Sequence, residues 1–166
     1  GHNAVDVVKG VNYTVGGPGE YEIGGLFVTG IGMHHHDEET GEVDFNVAYL
    51  FEYPNEITIL HLGDLKHVPD QSTIEQLGDV NVLLIPVGGG NGLRGGHAAD
   101  VIALVEPHFV VPMHYAIPGL AIELDPVDRF LKAMGVSQAQ ETDVLKVSNS
   151  ALPEQTQVVV LTPAVE

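Results

Sequence analysis

The chain has 166 residues, of which 44% are hydrophobic, and 23 acidic against 6 basic side chains give it a formal net charge of −17. This negative field repels phosphate backbones, so we expect no nucleic acid partner; solubility explains the charge better than attraction of a cationic ligand does. No apolar run reaches the roughly 18 residues of a membrane span, so we expect one cytoplasmic domain over residues 1–166 with no membrane partner. Cysteine is absent, so any metal would be bound through histidine and carboxylate.

The first part of the chain is predicted to be β-structure. Alternating or continuous apolar runs are separated by turn-forming residues such as the Gly-Pro-Gly run at 16–20. We therefore predict strands within residues 11–15, 21–33, 43–53 and 56–64.

The remainder alternates between helix and strand. A capping box from Ser72 to Glu75 predicts a short helix, and Asp125 followed by Pro126 predicts the start of another, over 125–135. A further helix is predicted over 97–106, ending before Pro107, with strands over 80–90, 108–115, 143–148 and 157–161. Strands followed by this alternation predict an α/β fold, in which a sheet carries its helices on one side.

Three apolar strands end in side chains that can bind metal. Asp64 follows a strand that Gly63 allows to turn sharply, His114 follows "VVPM", and the run His34-His35-His36 ends an earlier strand. Alternation places His34 and His36 on one side of that strand and His35 on the other. Each feature alone has an ordinary structural explanation. Because strand ends of such sheets collect ligands, their joint placement makes a metal site as good an explanation as a structural one.

A glycine-rich segment at 88–100 leads into the helix predicted to start at residue 97. Such a segment can hold a phosphate at a helix N-terminus, but it lacks the GxxxxGK[ST] pattern of nucleotide-binding loops. A tight strand-to-helix turn, with Arg94 in solvent, is the favoured interpretation. His61, His97 and His108 are interpreted as structural or surface residues.

The order of these motifs resembles that of the metallo-β-lactamase-fold metal-dependent hydrolases. The resemblance runs over nearly the whole chain, through "GPGEYEIGGLFVTGIGMHHHD", "HLGDLKH", "VNVLLIPVGG" and "AADVIALVEPHFVVPMHY" to "LDPVDRFLKAMG". It is strongest to an uncharacterised bacterial and archaeal branch related to ascorbate-phosphate lactonases. The resemblance implies a four-layer αβ/βα sandwich that binds one or two divalent ions, commonly zinc or manganese.

The resemblance also implies roles for individual residues. His36, which is followed by Asp37 as in the family, and His114 match histidine ligands, while Asp64 matches the bridging aspartate. Asp64 and His36 are therefore the predicted catalytic residues, and the predicted metal ligands are His2, His36, Asp64 and His114. His67 and Tyr115 are predicted to contact substrate at the mouth of the site.

One family motif is largely missing. Only His2 can represent the end of the His-x-His-x-Asp-His signature, so the chain resembles the larger C-terminal portion of such a domain. We therefore expect a metal-dependent hydrolase of a small-molecule ester, lactone or phosphoester. Because part of the ligand signature is missing, this portion alone can be inactive. A non-catalytic metal-binding or partner-binding module with the same fold is the alternative. A third interpretation, a β-rich metal-binding barrel, explains the early strands but not the later alternation of strand and helix. Strands absent from the sandwich would expose a core face, so we also expect self-association into a homo-oligomer.

Overall fold

A computed structural model of the chain describes residues 7–36, 41 and 43–162. The described residues form an eight-stranded sheet in the order β1-β2-β3-β4-β5-β6-β8-β7. The strands are β1 Gly19–Ile23, β2 Leu26–His36, β3 Val43–Glu52, β4 Thr58–His61, β5 Val82–Pro86, β6 Phe109–Met113, β7 Gln140–Thr142 and β8 Gln157–Leu161. The helices are α1 Gln71–Glu75, α2 Gly95–Val105 and α3 Val127–Ala133, and a 3₁₀ turn spans Asn149–Ala151.

The direction of the strands brings several carboxyl ends to one edge of the sheet. Strands β1 to β4 form an antiparallel meander, while β4, β5, β6 and β8 run parallel to one another. Because β2 and β4 are both antiparallel to β3, they point the same way. The carboxyl ends of β2, β4, β5 and β6 therefore lie along a common edge, where α/β folds place their ligands.

The helices pack on one face of the sheet. Leu83, Ile85 and Val110 of the central strands belong to the same buried cluster as residues of all three helices. Val82 and Val111, one position out of phase, belong to a second cluster on the opposite face, which the C-terminal segment around residues 145–152 covers. The α/β prediction with helices on one side is thus confirmed. The expected αβ/βα sandwich is represented, among the described residues, by this one sheet.

Two helix starts differ from their predictions. The N-cap of α1 is Asp70 and not Ser72, because the Asp70 carboxylate accepts the Thr73 N–H at 2.8 Å. A cap side chain accepts the N–H of a residue two or three positions later, and Ser72 directly precedes Thr73. Helix α3 begins after Pro126, which takes the cap position, while Asp125 pairs with Arg129 at 2.5 Å. Both helices form where they were predicted, but the residue at the cap position differs from the prediction in each.

Two strand predictions are wrong. Residues 11–15 and 143–148, both within the described part of the chain, form no strand. At 143–148 a local interaction explains the difference, since the Thr142 hydroxyl bonds to both the N–H and the carbonyl of Val144 and so competes with a sheet ladder. Residues 11–15 are held instead by a side chain, because the Tyr49 hydroxyl donates to the Val15 carbonyl at 3.3 Å. None of the described helices is long and apolar enough to cross a membrane.

Candidate metal centre

Asp64 and His114 line the same open cavity at the carboxyl edge of the sheet. This first cavity has a volume of about 960 Å³. Asp64 lies three residues beyond β4, and His114 directly follows β6. Both strands are parallel neighbours of β5, so their ends open onto one edge. Two of the side chains predicted to bind metal are thereby brought to one place.

The turn that carries Asp64 is held by two neighbouring side chains. Asn46 on β3 accepts the Asp64 N–H at 3.1 Å, and its own amide donates to the Leu62 carbonyl at 2.8 Å. His61 Nδ1 accepts the N–H of Gly63 at 3.0 Å. Gly63 has a φ of +60°, a left-handed conformation that glycine adopts at little cost. The sharp strand exit predicted from Gly63 is therefore present, and side chains fix its direction.

His114 lies against the glycine-rich loop at 88–92. Its φ is +53°, which is costly for a residue with a side chain and persists where the surroundings impose it. The N–H of Gly88 donates to the His114 carbonyl at 2.9 Å. A side chain added at Gly92 would start 3.5 Å from His114 Cδ2, and one at Gly90 would start 3.8 Å from Nε2. The loop after β5 is thus a tight turn that lies so close to the imidazole that added side chains would be in van der Waals contact with it.

A second, smaller cavity of about 210 Å³ lies beside the first and contains the histidine run. His35 stacks on His67, with 3.6 Å between the ring centroids, and His34 lies 4.6 Å from the ring of Phe45. Asp44 accepts a bond from Lys66 at 2.7 Å and lies 3.7 Å from His67 Nε2. Asp44 and Lys66 line both cavities, so the two adjoin.

The structure separates some of the predicted site residues. His36 is exposed and lines the second cavity, not the first, and His67 lines the second cavity as well. Tyr115 is half-buried against the helix-side core, where burial, and to a smaller extent the charge of Glu141, raises the pKa of its hydroxyl. His2 and Asp37 lie outside the described residues. The roles given to His36, His67, Tyr115 and His2 therefore stay predictions.

His61, which the sequence analysis assigned to a structural role, accepts the Gly63 N–H at 3.0 Å and also lies in the first cavity. It is the last residue of β4 and lines the first cavity together with Asp64 and His114. Burial lowers the pKa of the imidazole, while a hydrogen bond to the backbone of His61 itself and the charge of Asp64 act in the opposite direction. The spacing "HLGD" was the available signal, because it puts His61 at the strand end that Asp64 follows.

The lowered pKa of His61 predicts how stability depends on pH. Because the unfolded chain takes up a proton at this histidine more readily than the folded chain does, the free energy of unfolding should fall as the pH drops below about 6.5. We expect His61→Gln to make this fall shallower in urea titrations at pH 7.5 and pH 5.5 without metal. His97→Gln, on the exposed surface of α2, is the control. Equal slopes for all three proteins would contradict the prediction.

Asp64 and His114 fit part of a divalent-cation site. Carboxylate oxygen and imidazole nitrogen are ligands that zinc and manganese accept, and both donors line one cavity. Resident zinc commonly has three or four protein ligands. Among the residues that the structure describes, no group of three or more His, Cys, Asp or Glu is placed to hold an ion.

Comparison with known proteins identifies the family. The model of the β-lactamase superfamily domain matches residues 1–114, which include Asp64, His114 and the histidine run. The chain therefore belongs to this superfamily. Its structure is similar to that of a protein from Thermotoga maritima assigned as a Zn-dependent hydrolase of the metallo-β-lactamase superfamily, with a TM-score of 0.78, 33% identity and coverage of 97% of this chain and 77% of that one.

Relatives from archaea extend the comparison. A UPF0173 protein of Pyrococcus furiosus is 33% identical over 107 residues, and a UPF0173 metal-dependent hydrolase of Pyrococcus horikoshii is 31% identical over the same length. In each case the match covers 64% of this chain and 45% of the relative. The chain thus spans about half the length of the curated relatives that it matches.

Proposed function

We propose that this chain carries the cation site of a metal-dependent hydrolase that acts on a small-molecule ester, lactone or phosphoester. The observation that carries the proposal is that Asp64 and His114, from different strands, line one cavity at the carboxyl edge of the sheet. The Pyrococcus horikoshii relative is named a metal-dependent hydrolase and the Thermotoga protein a Zn-dependent one, which supports the same reaction class. Zinc or manganese is the proposed cofactor, since both accept histidine and carboxylate.

The side chains have separate roles in this proposal. The Asp64 carboxylate and the His114 imidazole hold the cation, and His36 and His2 are proposed to complete the ligand set. When bound, a divalent cation lowers the pKa of water and polarises the bond to be cleaved. His61 accepts the Gly63 N–H through Nδ1, so in the neutral ring the proton is on Nε2. Small-molecule substrate is proposed to enter past His67 and Tyr115.

A non-catalytic cation-binding or partner-binding module is the second candidate. The observation that favours it is that the described residues contain no group of three or more potential ligands placed to hold an ion, whereas catalytic zinc sites use three. Such a module would bind a cation through Asp64 and His114 without hydrolysing any ester. Cation binding and hydrolysis therefore have to be measured separately.

Metal analysis of purified protein tests the cation site. We expect the wild-type chain, dialysed against zinc or manganese, to retain about one equivalent, and Asp64→Ala to lose most of it because a proposed ligand is gone. Asp100→Ala, which removes an exposed carboxylate from α2 with the same change in net charge, should retain the wild-type amount. Equal metal in all three proteins would mean that the acidic surface, and not this site, binds the ion.

Hydrolysis assays then separate the two candidates. Turnover of a generic phosphodiester or lactone that Asp64→Ala lacks and Asp100→Ala keeps would support the enzyme. Cation binding through Asp64 with no turnover in any protein would favour the non-catalytic module.

A further inference from the structure

The backbone around Gly63 is held from two sides, at successive amides. His61 Nδ1 takes the N–H of Gly63 at 3.0 Å, and Asn46 Oδ1 takes the N–H of Asp64 at 3.1 Å. Asn46 also donates to the carbonyl of Leu62 at 2.8 Å. A single side chain on β3 therefore holds the chain both before and after the glycine at which it turns.

The orientation of the Asn46 amide follows from its partners. A backbone N–H can only donate and a carbonyl can only accept, so the amide oxygen must face Asp64 and the amide nitrogen must face Leu62. Leu62 is fully buried, and its own N–H donates to the Leu84 carbonyl on β5 at 3.0 Å. Leu62 is therefore anchored in the sheet, and Asn46 fixes the backbone of Asp64 relative to Leu62.

Gly63 allows this close approach. A side chain at 63 would start 2.8 Å from Asn46 Oδ1 and 3.2 Å from the Val47 carbonyl, in addition to the strain of a φ of +60°. The absence of a side chain at 63 lets the amide of Asn46 lie directly against the turn. Asn46 and Asp64 also line the same cavity.

We propose that Asn46 is a positioning residue for Asp64: its amide holds the backbone on both sides of Gly63 and so sets the direction in which the Asp64 carboxylate meets the first cavity. Asn46 acts through Asp64 and not on the cation. Its effect on cation affinity rests on the proposed function, whereas its hold on the turn does not. Residues that orient metal ligands commonly change affinity by about 10-fold to 100-fold when they are replaced.

The chain offers a matched control at the other end of β4. Asn81 is a buried asparagine whose Oδ1 accepts the Thr58 N–H at 2.8 Å, so it holds the first residue of β4 much as Asn46 holds the turn after it. Asn46→Ala and Asn81→Ala each remove one asparagine that holds this strand. They differ in that only Asn46 holds Asp64.

Titration calorimetry of the whole chain with manganese chloride, and separately with zinc chloride, tests the proposal. We expect Asn46→Ala to raise the Kd by roughly 10-fold or more and Asn81→Ala to leave it within about 2-fold of wild type, with urea unfolding confirming that both variants fold. Wild-type affinity in Asn46→Ala would overturn the proposal. An equal loss in Asn81→Ala would also overturn it, because general destabilisation would then explain both.

Amide hydrogen exchange in metal-free protein tests the same residue without any cation. The Asp64 amide should exchange faster in Asn46→Ala and at the wild-type rate in Asn81→Ala. If the wild-type chain binds neither metal, the proposed function fails, and exchange alone decides whether Asn46 holds the turn. Unchanged protection of the Asp64 amide in Asn46→Ala would overturn the inference whatever the metal result.

Discussion

Replacing Gly88 with alanine is expected to destabilise the protein by about 3 kcal/mol. The added Cβ would start 2.3 Å from the His114 carbonyl oxygen and 2.8 Å from Tyr115 Cα. Both are backbone atoms, so no side chain can rotate away. The N–H of Gly88 also donates to that same carbonyl at 2.9 Å, and this bond joins the end of β5 to the residue after β6. The chain has to open there to admit a methyl group.

The same change should affect the proposed cation site. His114 follows β6 at a φ of +53°, and its position depends on the loop that Gly88 begins. We expect Gly88→Ala, measured at a temperature where it remains folded, to bind manganese more weakly than wild type. Urea unfolding and titration calorimetry of the two proteins measure both effects.

Gly96→Ala is the matched control for Gly88→Ala. Gly96 lies in α2, and a Cβ there would meet nothing within 4 Å. Alanine in a helix is favoured over glycine by about 0.5–1 kcal/mol, so this variant should be as stable as wild type or slightly more stable. If Gly88→Ala unfolded at the same urea concentration as Gly96→Ala, the loop after β5 would have to be able to retreat from His114.

The parts of the site that were predictable are those that depend on strand direction. Asp64 and His114 each follow an apolar run, and parallel strands bring such ends to one edge, which the structure confirms. His36 also ends a strand that points to this edge, yet it lines the neighbouring cavity. Position along a strand predicts the edge of the sheet but does not predict which of two adjoining cavities a side chain enters.

The parts that were not predictable depend on contacts between distant residues. The structural role of His61 was predicted, but its partner, the Gly63 N–H, was not, because it is a backbone group that no side-chain pattern reveals. Asn46 lies 18 positions before Asp64, and only the pairing of β3 with β4 brings the two together. The glycines at 88–92 were interpreted correctly as a turn, but their fit around His114 required knowledge of where β6 ends.

The second large effect is expected at Phe130, in α3. Phe130 is fully buried in the helix-side core, and truncating such a ring to alanine commonly costs about 3–5 kcal/mol because apolar contact is lost and a cavity remains. Gly95 at the start of α2 lies so close to this helix that a Cβ there would be 2.9 Å from Phe130 Cα. Phe130→Ala should therefore lower the free energy of unfolding by several kcal/mol and loosen the contact between α2 and α3.

The position of α3 links this core change to the site. Asp125, just before the helix, donates its N–H to the Gly88 carbonyl at 2.8 Å and pairs with Arg129 at 2.5 Å. A loosened α3 should thus release the loop around His114, and manganese affinity should fall along with stability. Phe27→Ala is the control, because Phe27 is 54% exposed on β2 and its loss should cost far less. A Phe130→Ala protein that unfolds at lower urea but binds manganese with wild-type affinity would show that the loop holds His114 without support from α3.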